Sequence, residues 1–463
     1  MEERPLTKRN NGKLSTFRTQ SRDNVSIGLT GVRKCAIKDK NLRFTALLHH
    51  ITKSMLMDSY NSLKRGAVPG IDKVTWKMFG EDVYKNIEQL YENLHNGKYR
   101  SQPTRRCYIF KEDGQQRALG IASMEDKIVQ HAVQTVLNEI FEVDFIGFSY
   151  GFRPGRSQHD ALDALNVAII RKKVNWILDA DIQGFFDNID HLWIMKFLKH
   201  RIADKRVLRL IKQWLQAGVV EDGQHEKTNK GCPQGAVISP FLANIYLHYV
   251  LDIWIRAYRS KRARGEVIAV RYADDFILGF QYKSDAEDFL NLLKQRLEKF
   301  KLNLHPEKTG LIEFGRFARE NHKKARQKPQ TFDFLGFTHY CSTTKKGMFV
   351  VKRLSIKKRM RKKLKMIKDT LLRKRHETIP KQGKWLKQVI RGYFNYHAVS
   401  WNLRTLGGFR REISRYWLKA LRRRSQRYRL NWEKFKKLVN LFIPKVKLMH
   451  PHPEIRFDAK HSK

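Results

Sequence analysis

Val267–Phe280 reads VIAVRYADDFILGF. Two apolar runs, Val267–Val270 and Phe276–Leu278, flank a short polar centre, and strands of this length joined by a tight polar connection predict a β-hairpin. Tyr272, Ala273, Asp274 and Asp275 form its tip. Two adjacent carboxylates there repel each other unless divalent cations sit between them. Mg²⁺ suits such a place, because it prefers hard oxygen ligands and shares its shell with substrate phosphates. Without ions the same residues are a solvated acidic turn. The metal reading therefore requires a third carboxylate, a nucleotide pocket and a nucleic-acid surface elsewhere in the chain.

Trp176–Asp190 (WILDADIQGFFDNID) offers the third carboxylate. Trp176–Ile182 is apolar and strand-like, and alternation puts Asp179 and Asp181 on one face, so spacing does not choose between them. A carboxylate within an apolar strand is costly unless it is paired or metal-bound. Phe185 and Phe186 follow, with core packing as their plainest role. Arg105–Gly120 reads as strand, turn, strand and projects Lys111 and Arg117, two cations able to clamp a triphosphate. The same charges would also protect a bare hairpin edge. Lys230–Asp252 opens with a Pro-Gln-Gly turn, where the Gln234 amide could meet a nucleotide, and runs into an apolar helix. Leu302–Thr309 is a loop carrying Lys308.

The nucleic-acid surface is announced by charge. The chain has 93 Lys and Arg against 45 Asp and Glu, a net of +48. A protein this basic repels itself unless a polyanion meets it, and counterion release drives binding to nucleic acid. A membrane surface is the weaker partner: no run of 18 apolar residues exists, and the start, MEERPLTKRN, lacks the apolar segment of a secretory signal. The four cysteines are scattered with no C-x-x-C pair, which argues against a cysteine zinc site and for a reducing cytoplasm. From Val351 onward there are 35 Lys and Arg against 6 Asp and Glu, a net of +29. This part reads as basic helices with Met360, Leu364, Ile367 and Leu371 as one apolar stripe. Tyr393, Tyr396, Trp401, Tyr416 and Trp417 are interleaved with the cations, a nucleic-acid-binding pattern. Arg422, Arg423, Arg424, Arg427 and Arg429 form its densest run.

Other segments set the frame. Residues 1–41 are polar and basic and are expected to stay mobile until they meet a partner. Leu42–Lys64 has the apolar spacing of one amphipathic helix. Gly147–Asp160 (GFSYGFRPGRSQHD) reads either as a backbone cradle for phosphates with stacking rings or as a turn-rich connection. Thr331–Tyr340 reads as one apolar strand in which Gly336 permits close backbone approach.

With these residues in hand, the chain resembles group II intron-encoded reverse transcriptase/maturase proteins. The resemblance rests on GIDKVTW, YIFKEDGQQRALGI, SYGFRPGRSQHDAL, LDADIQGFFDNIDH, GCPQGAVISPFLANIYL, RYADD, LNLHPEKT, FDFLGF and GYFNYHAV, in that order from about Ala67. It implies an α+β right hand: fingers and a palm with an antiparallel sheet over 42–345, an α-helical thumb or maturase domain over 346–442, and a tail over 443–463. It implies that Asp181, Asp274 and Asp275 hold two Mg²⁺ ions, with Mn²⁺ as a substitute. Lys111 and Arg117 then hold the triphosphate, Phe186 packs under the sugar, and Gln234 and Lys308 belong to the nucleotide pocket. The implied partners are intron RNA, an RNA template, a DNA primer or target, and dNTPs, in a bacterial cytoplasm near the nucleoid. The chain shows no C-terminal Cys/His-rich segment, so target cleavage is not expected of it. Two other readings are a splicing cofactor that no longer polymerises, against which the three carboxylates argue, and a reverse transcriptase adopted by its host for phage defence.

Overall fold

The computed structural model describes residues 28–110, 116–226, 228–318, 321, 329–424 and 430–461. Lys111, Arg427 and Arg429 therefore lie outside the described residues. The strands are β1 Thr104–Phe110, β2 Gln116–Ile121, β3 Trp176–Asp181, β4 Val219–Glu221, β5 Gln224–Glu226, β6 Val267–Tyr272, β7 Asp275–Phe280, β8 Gly310–Glu313, β9 Thr331–Phe334, β10 Phe337–Thr343 and β11 Phe349–Ser355.

Alternation along β3 decides how the palm is built. Leu178 and Ala180 point into a large apolar cluster with Phe276, Leu278 and Phe289. Ile177 points the other way, into a cluster with Ile268, Val270 and Ile277. Asp179 and Asp181 continue this second face, because side chains two apart on a strand share a side. The sheet is antiparallel in the order β6–β7–β3–β8. Its register sets Tyr272 opposite Asp275, and Asp275 opposite Asp181. The hairpin expected from VIAVRYADDFILGF is therefore β6–β7, and its tip lies beside the end of β3. A second sheet, β2–β1–β4–β5, carries the finger hairpin, whose turn lies outside the described residues.

Three expectations change. Residues 28–38 are helical, with Val32 and Ala36 buried, and Arg201 donates to the carbonyls of Ala36 and Lys40. This part of the leader is thus fixed by a short buried stripe and an arginine from elsewhere in the chain. Leu42–Lys64 is not one helix: the helix runs only over Lys53–Ser62, capped by Thr52. The Asp204 carboxylate accepts from the amides of Leu47 at 2.7 Å and Leu48 at 3.2 Å, so a distant side chain overrides the local periodicity. Thr331–Tyr340 is two strands. Phe334 pairs with Phe337 across Leu335 and Gly336, both at positive φ. The Tyr396 hydroxyl donates to the Leu335 carbonyl at 2.6 Å, holding the tight turn against the next domain.

Beyond β11, the helices Lys357–Arg373, Ile379–His397, Leu403–Arg422 and Trp432–Phe442 build their own core, including Leu364, Ile367, Leu371, Ile390 and Trp417. Several of the aromatics interleaved with the cations belong to this packing. Trp417 is fully buried with its indole N–H on Gln382 at 3.0 Å, and Tyr393 stacks on Phe409. The last described helix, Pro453–His461, turns back to the palm. It pairs with the helix Gln158–Arg171 through Asp458–Arg171 (2.7 Å), Lys460–Asp160 (2.6 Å) and Arg456–Asp163 (3.3 Å). Among the described residues no helix is long and apolar enough to cross a membrane.

The apolar helix Ser239–Leu247 passes through a π turn at His248–Asp252 into Ile253–Lys261. The polar residues that interrupt it, Asn244, His248 and Asp252, recur every four positions and are buried. Asp252 accepts from Arg271 Nε at 2.7 Å and Nη2 at 2.5 Å. Nη1 donates to Asn244 Oδ1 (3.0 Å) and the Ala273 carbonyl (2.9 Å), and Nη2 also to Ser149 Oγ (2.7 Å). The guanidinium's five-donor capacity is thereby used, in the fork geometry only arginine has. Breaking such a buried pair costs about 3–5 kcal/mol, because one charge is left without a partner. Asp252→Asn should accordingly lower the free energy of urea unfolding by about 3 kcal/mol. Arg271→Lys should not escape the loss. An unchanged midpoint and slope in both variants would remove the pair from this role.

Candidate active site

The tip of the hairpin is a two-residue turn. Ala273 takes φ of 59°, a conformation that a residue with a Cβ adopts at a cost. Its carbonyl is held by Arg271, and its amide is pressed by Gly151: a Cβ at Gly151 would lie 2.4 Å from Ala273 N. The segment 148–150 adds to the edge of β6, with Arg271 N donating to Phe148 O (2.9 Å) and Tyr150 N to Arg271 O (2.8 Å). Its arginines are turned inward. Arg153 binds Glu142 and the carbonyls of Ile146 and Ser149; Arg156 donates to Gly147 O and Ser149 O. The Gly- and Arg-rich stretch is thus a brace for the turn rather than a phosphate cradle.

The turn presents Asp274 and Asp275 beside Asp181. Burial and the like charges of Asp179, Asp274 and Asp181 push the Asp275 carboxyl up to about 8. Burial, then Asp181 and Asp333, push Asp179 up to about 7. Asp274 is raised by burial and by Asp181, and drawn back by its own backbone N–H and by Arg117 and Arg271. Asp181 pairs with Lys308 Nζ at 3.1 Å. Among the described residues no three metal-capable side chains already close into a cage. The donor set is nonetheless all carboxylate and mutually repelling, which suits a hard divalent cation and not zinc.

Three cations approach this acidic face from different parts of the chain. Lys308 comes from the loop before β8, and Arg117 on β2 lowers Asp274. Arg359, on the first thumb helix, lowers Asp275 and lies near Gly336 of the FDFLGF turn. Phe186 is half-buried, edge-on to Phe185, and its carbonyl accepts from Cys232 N at 2.8 Å. That bond joins the DADIQGFF and GCPQG segments. Gln234 is half-exposed, and its carbonyl accepts from Gly120 N at 2.7 Å, tying the finger hairpin to the same loop. Of the five arginines proposed for RNA, Arg422 clasps the Leu430 carbonyl through Nε and Nη2, both at 3.1 Å. Arg423 is exposed and Arg424 half-buried.

Sequence reasoning passed over Arg271, Asp252, Gly151 and Arg359. The first two left a trace, an arginine inside an apolar hairpin and polar residues at a four-residue repeat in an apolar helix. Nothing local marks Arg359 among its basic neighbours.

The family model described as reverse transcriptase (RNA-dependent DNA polymerase) matches residues 109–339. Protein YkfC of Escherichia coli is 33% identical over 275 residues, 52% of this chain and 72% of that protein. The group II intron-encoded protein LtrA of Lactococcus lactis subsp. cremoris is 32% identical over 328 residues, 58% of this chain and 54% of its own length, so the chain spans about half of that relative. An uncharacterized 91 kDa protein in the cob intron of Schizosaccharomyces pombe is 35% identical over 226 residues, 48% of this chain and 27% of that protein. With its right-hand fold and carboxylate-bearing palm, and its similarity to a group II intron-encoded protein, the chain belongs to the reverse transcriptase family.

Proposed function

We propose that the chain is an RNA-directed DNA polymerase of a group II intron, and that it also binds the intron RNA and assists its splicing and mobility as a ribonucleoprotein. The observation that carries this is the register of the palm sheet, which sets Asp181 across from Asp275 with Asp274 in the adjoining turn. These three carboxylates would hold two Mg²⁺ ions, or Mn²⁺ in their place. Bound there, such ions lower the pKa of the primer 3′-hydroxyl and stabilise the leaving pyrophosphate. Arg117, with Lys111 beyond the described part of the hairpin, would neutralise the triphosphate. Lys308 would exchange its contact with Asp181 for the substrate's negative charge. Phe186 would close the space beneath the sugar, and Gln234 would line the pocket from the GCPQG loop. The template would be RNA, the primer DNA and the substrates dNTPs. The basic thumb would take the structured intron, and the bacterial cytoplasm near the nucleoid would be the setting.

Polymerisation should then depend on the carboxylates and not on the fold. Asp181→Asn or Asp274→Asn should abolish Mg²⁺-dependent cDNA synthesis while the melting temperature stays the same or rises, since each change removes a like charge from a crowded face. Wild-type extension by either variant would sink the assignment.

The sugar gate is separately testable. Phe186→Ala should admit ribonucleotides in single-nucleotide incorporation, because the ring that would exclude a 2′-hydroxyl is gone. Unchanged discrimination between dNTP and rNTP would return Phe186 to core packing.

The two activities should also separate. Arg423→Gln/Arg424→Gln, which spares the structural Arg422, should weaken intron affinity and splicing stimulation and flatten the slope of log affinity against log salt by roughly 1.5. It should keep extension of a pre-annealed primer at low salt. Asp274→Asn/Asp275→Asn should do the reverse. An unchanged salt slope in the arginine variant would mean that this run is a solvated surface.

A further inference from the structure

The segment Ile253–Ile268, reading IWIRAYRSKRARGEVI, carries five cations between Arg256 and Arg264, and the proposed polymerase chemistry uses none of them. Two are occupied: Arg262 pairs with Asp288 at 2.9 Å and Arg264 with Asp285 at 3.6 Å. Arg256 and Arg259 are exposed and line a groove of about 470 Å³ together with Lys172, Ser260, Glu266 and the start of β6. Glu266 is the acid in this lining, and it is already engaged. One oxygen takes Lys172 Nζ at 2.9 Å, and the other takes Lys173 N at 2.6 Å. Among the described residues neither Arg256 nor Arg259 forms an ion pair with a carboxylate, whereas their neighbours Arg262 and Arg264 do. Positions three apart on a helix share a face, so both guanidiniums serve the same groove.

The groove lies at the wrong end of the hairpin to serve the nucleotide. It is built around Val267, and the YADD tip begins at Tyr272, five residues or about 17 Å further along the strand. We propose that this groove, at the end of the palm sheet away from the carboxylates, is a second nucleic-acid contact in which Arg256 and Arg259 hold the phosphodiester backbone of structured RNA. The proposal rests on the reading of the chain as an RNA-binding polymerase. Exposed arginines without carboxylate partners are the side chains that exchange counterions for phosphates. A lipid surface fits less well. Such binding needs several apolar side chains to insert beside the cations; none of the exposed large apolar residues falls in Ile253–Ile268, and the exposed ring of Tyr282 against Gly265 is a single aromatic.

The test compares the full chain with Arg256→Gln/Arg259→Gln and with Arg256→Lys/Arg259→Lys. Affinity for a structured intron-length RNA is measured across a salt series, beside extension of a short pre-annealed primer and co-sedimentation with anionic phospholipid vesicles. The glutamine variant should bind the RNA roughly tenfold more weakly, with a salt slope shallower by about 1.5. The lysine variant, which keeps both charges, should stay near wild type, and all three should extend the short primer equally. Both side chains are exposed, so the melting temperature should not move. An unchanged RNA affinity and slope in the glutamine variant would overturn the groove, as would a loss confined to vesicle binding. Failure of the wild-type chain to extend any primer would fall on the polymerase reading instead, and its RNA binding would still decide the groove.

Discussion

The palm is hung on one buried guanidinium. Arg271 joins the apolar helix through Asp252 and Asn244, the 148–151 segment through Ser149, and the hairpin tip through the Ala273 carbonyl. These segments converge on Ala273 at positive φ, a conformation that costs a non-glycine residue roughly 1–2 kcal/mol. Together they over-determine it. The π turn that ends at Asp252 is part of the same device, since an extra residue in a helical turn re-aims the side chains that follow. The acidic tip is therefore rigid for reasons that lie wholly behind it.

In front of the tip the electrostatics are inverted relative to the rest of the molecule. A chain of net charge +48 gathers Asp179, Asp181 and Asp275 on one sheet face, with Asp274 in the adjoining turn. Burial first, and their mutual repulsion after it, raise the carboxyls of Asp179 and Asp275. The compensating cations are borrowed: Lys308 from a loop, Arg117 from the fingers, Arg359 from the thumb. The local field at the carboxylates thus depends on where fingers and thumb stand. A substrate that draws those cations toward itself also changes the charge that the carboxylates feel.

How much of this was legible in the sequence follows from the range of the interactions. The hairpin and β3 were readable because alternation is local and the turn sits between two clear apolar runs. The choice between Asp179 and Asp181 was not, because both share a face; the register with β7, set by residues almost a hundred positions away, puts Asp181 directly opposite Asp275. The helix expected over Leu42–Lys64 failed for the same reason, since its first half answers to Asp204. Composition left two surfaces open. The arginines around Gly151 and the aromatics of the thumb look like a nucleic-acid surface in the chain, yet carbonyls, Glu142 and Phe409 occupy several of them. Counting cations identifies the class of partner but does not say which cations are free.

The return of the last helix to the palm has a temporal side. Arg171 and Asp458 are 287 positions apart. At a synthesis rate of about 5–20 residues per second, roughly 15–60 s pass between the emergence of the helix Gln158–Arg171 and that of its partners on Pro453–His461. Through that interval Asp160 has neither Lys460 nor Arg456, and Asp163 has Arg353 only after β11 has appeared. The carboxylate end of that helix is thus completed after the whole basic thumb has been made. On the ribosome, the order of events is sheet first, thumb second and closure last. The chain's most cationic portion is already exposed to any nearby transcript before the palm receives its last support.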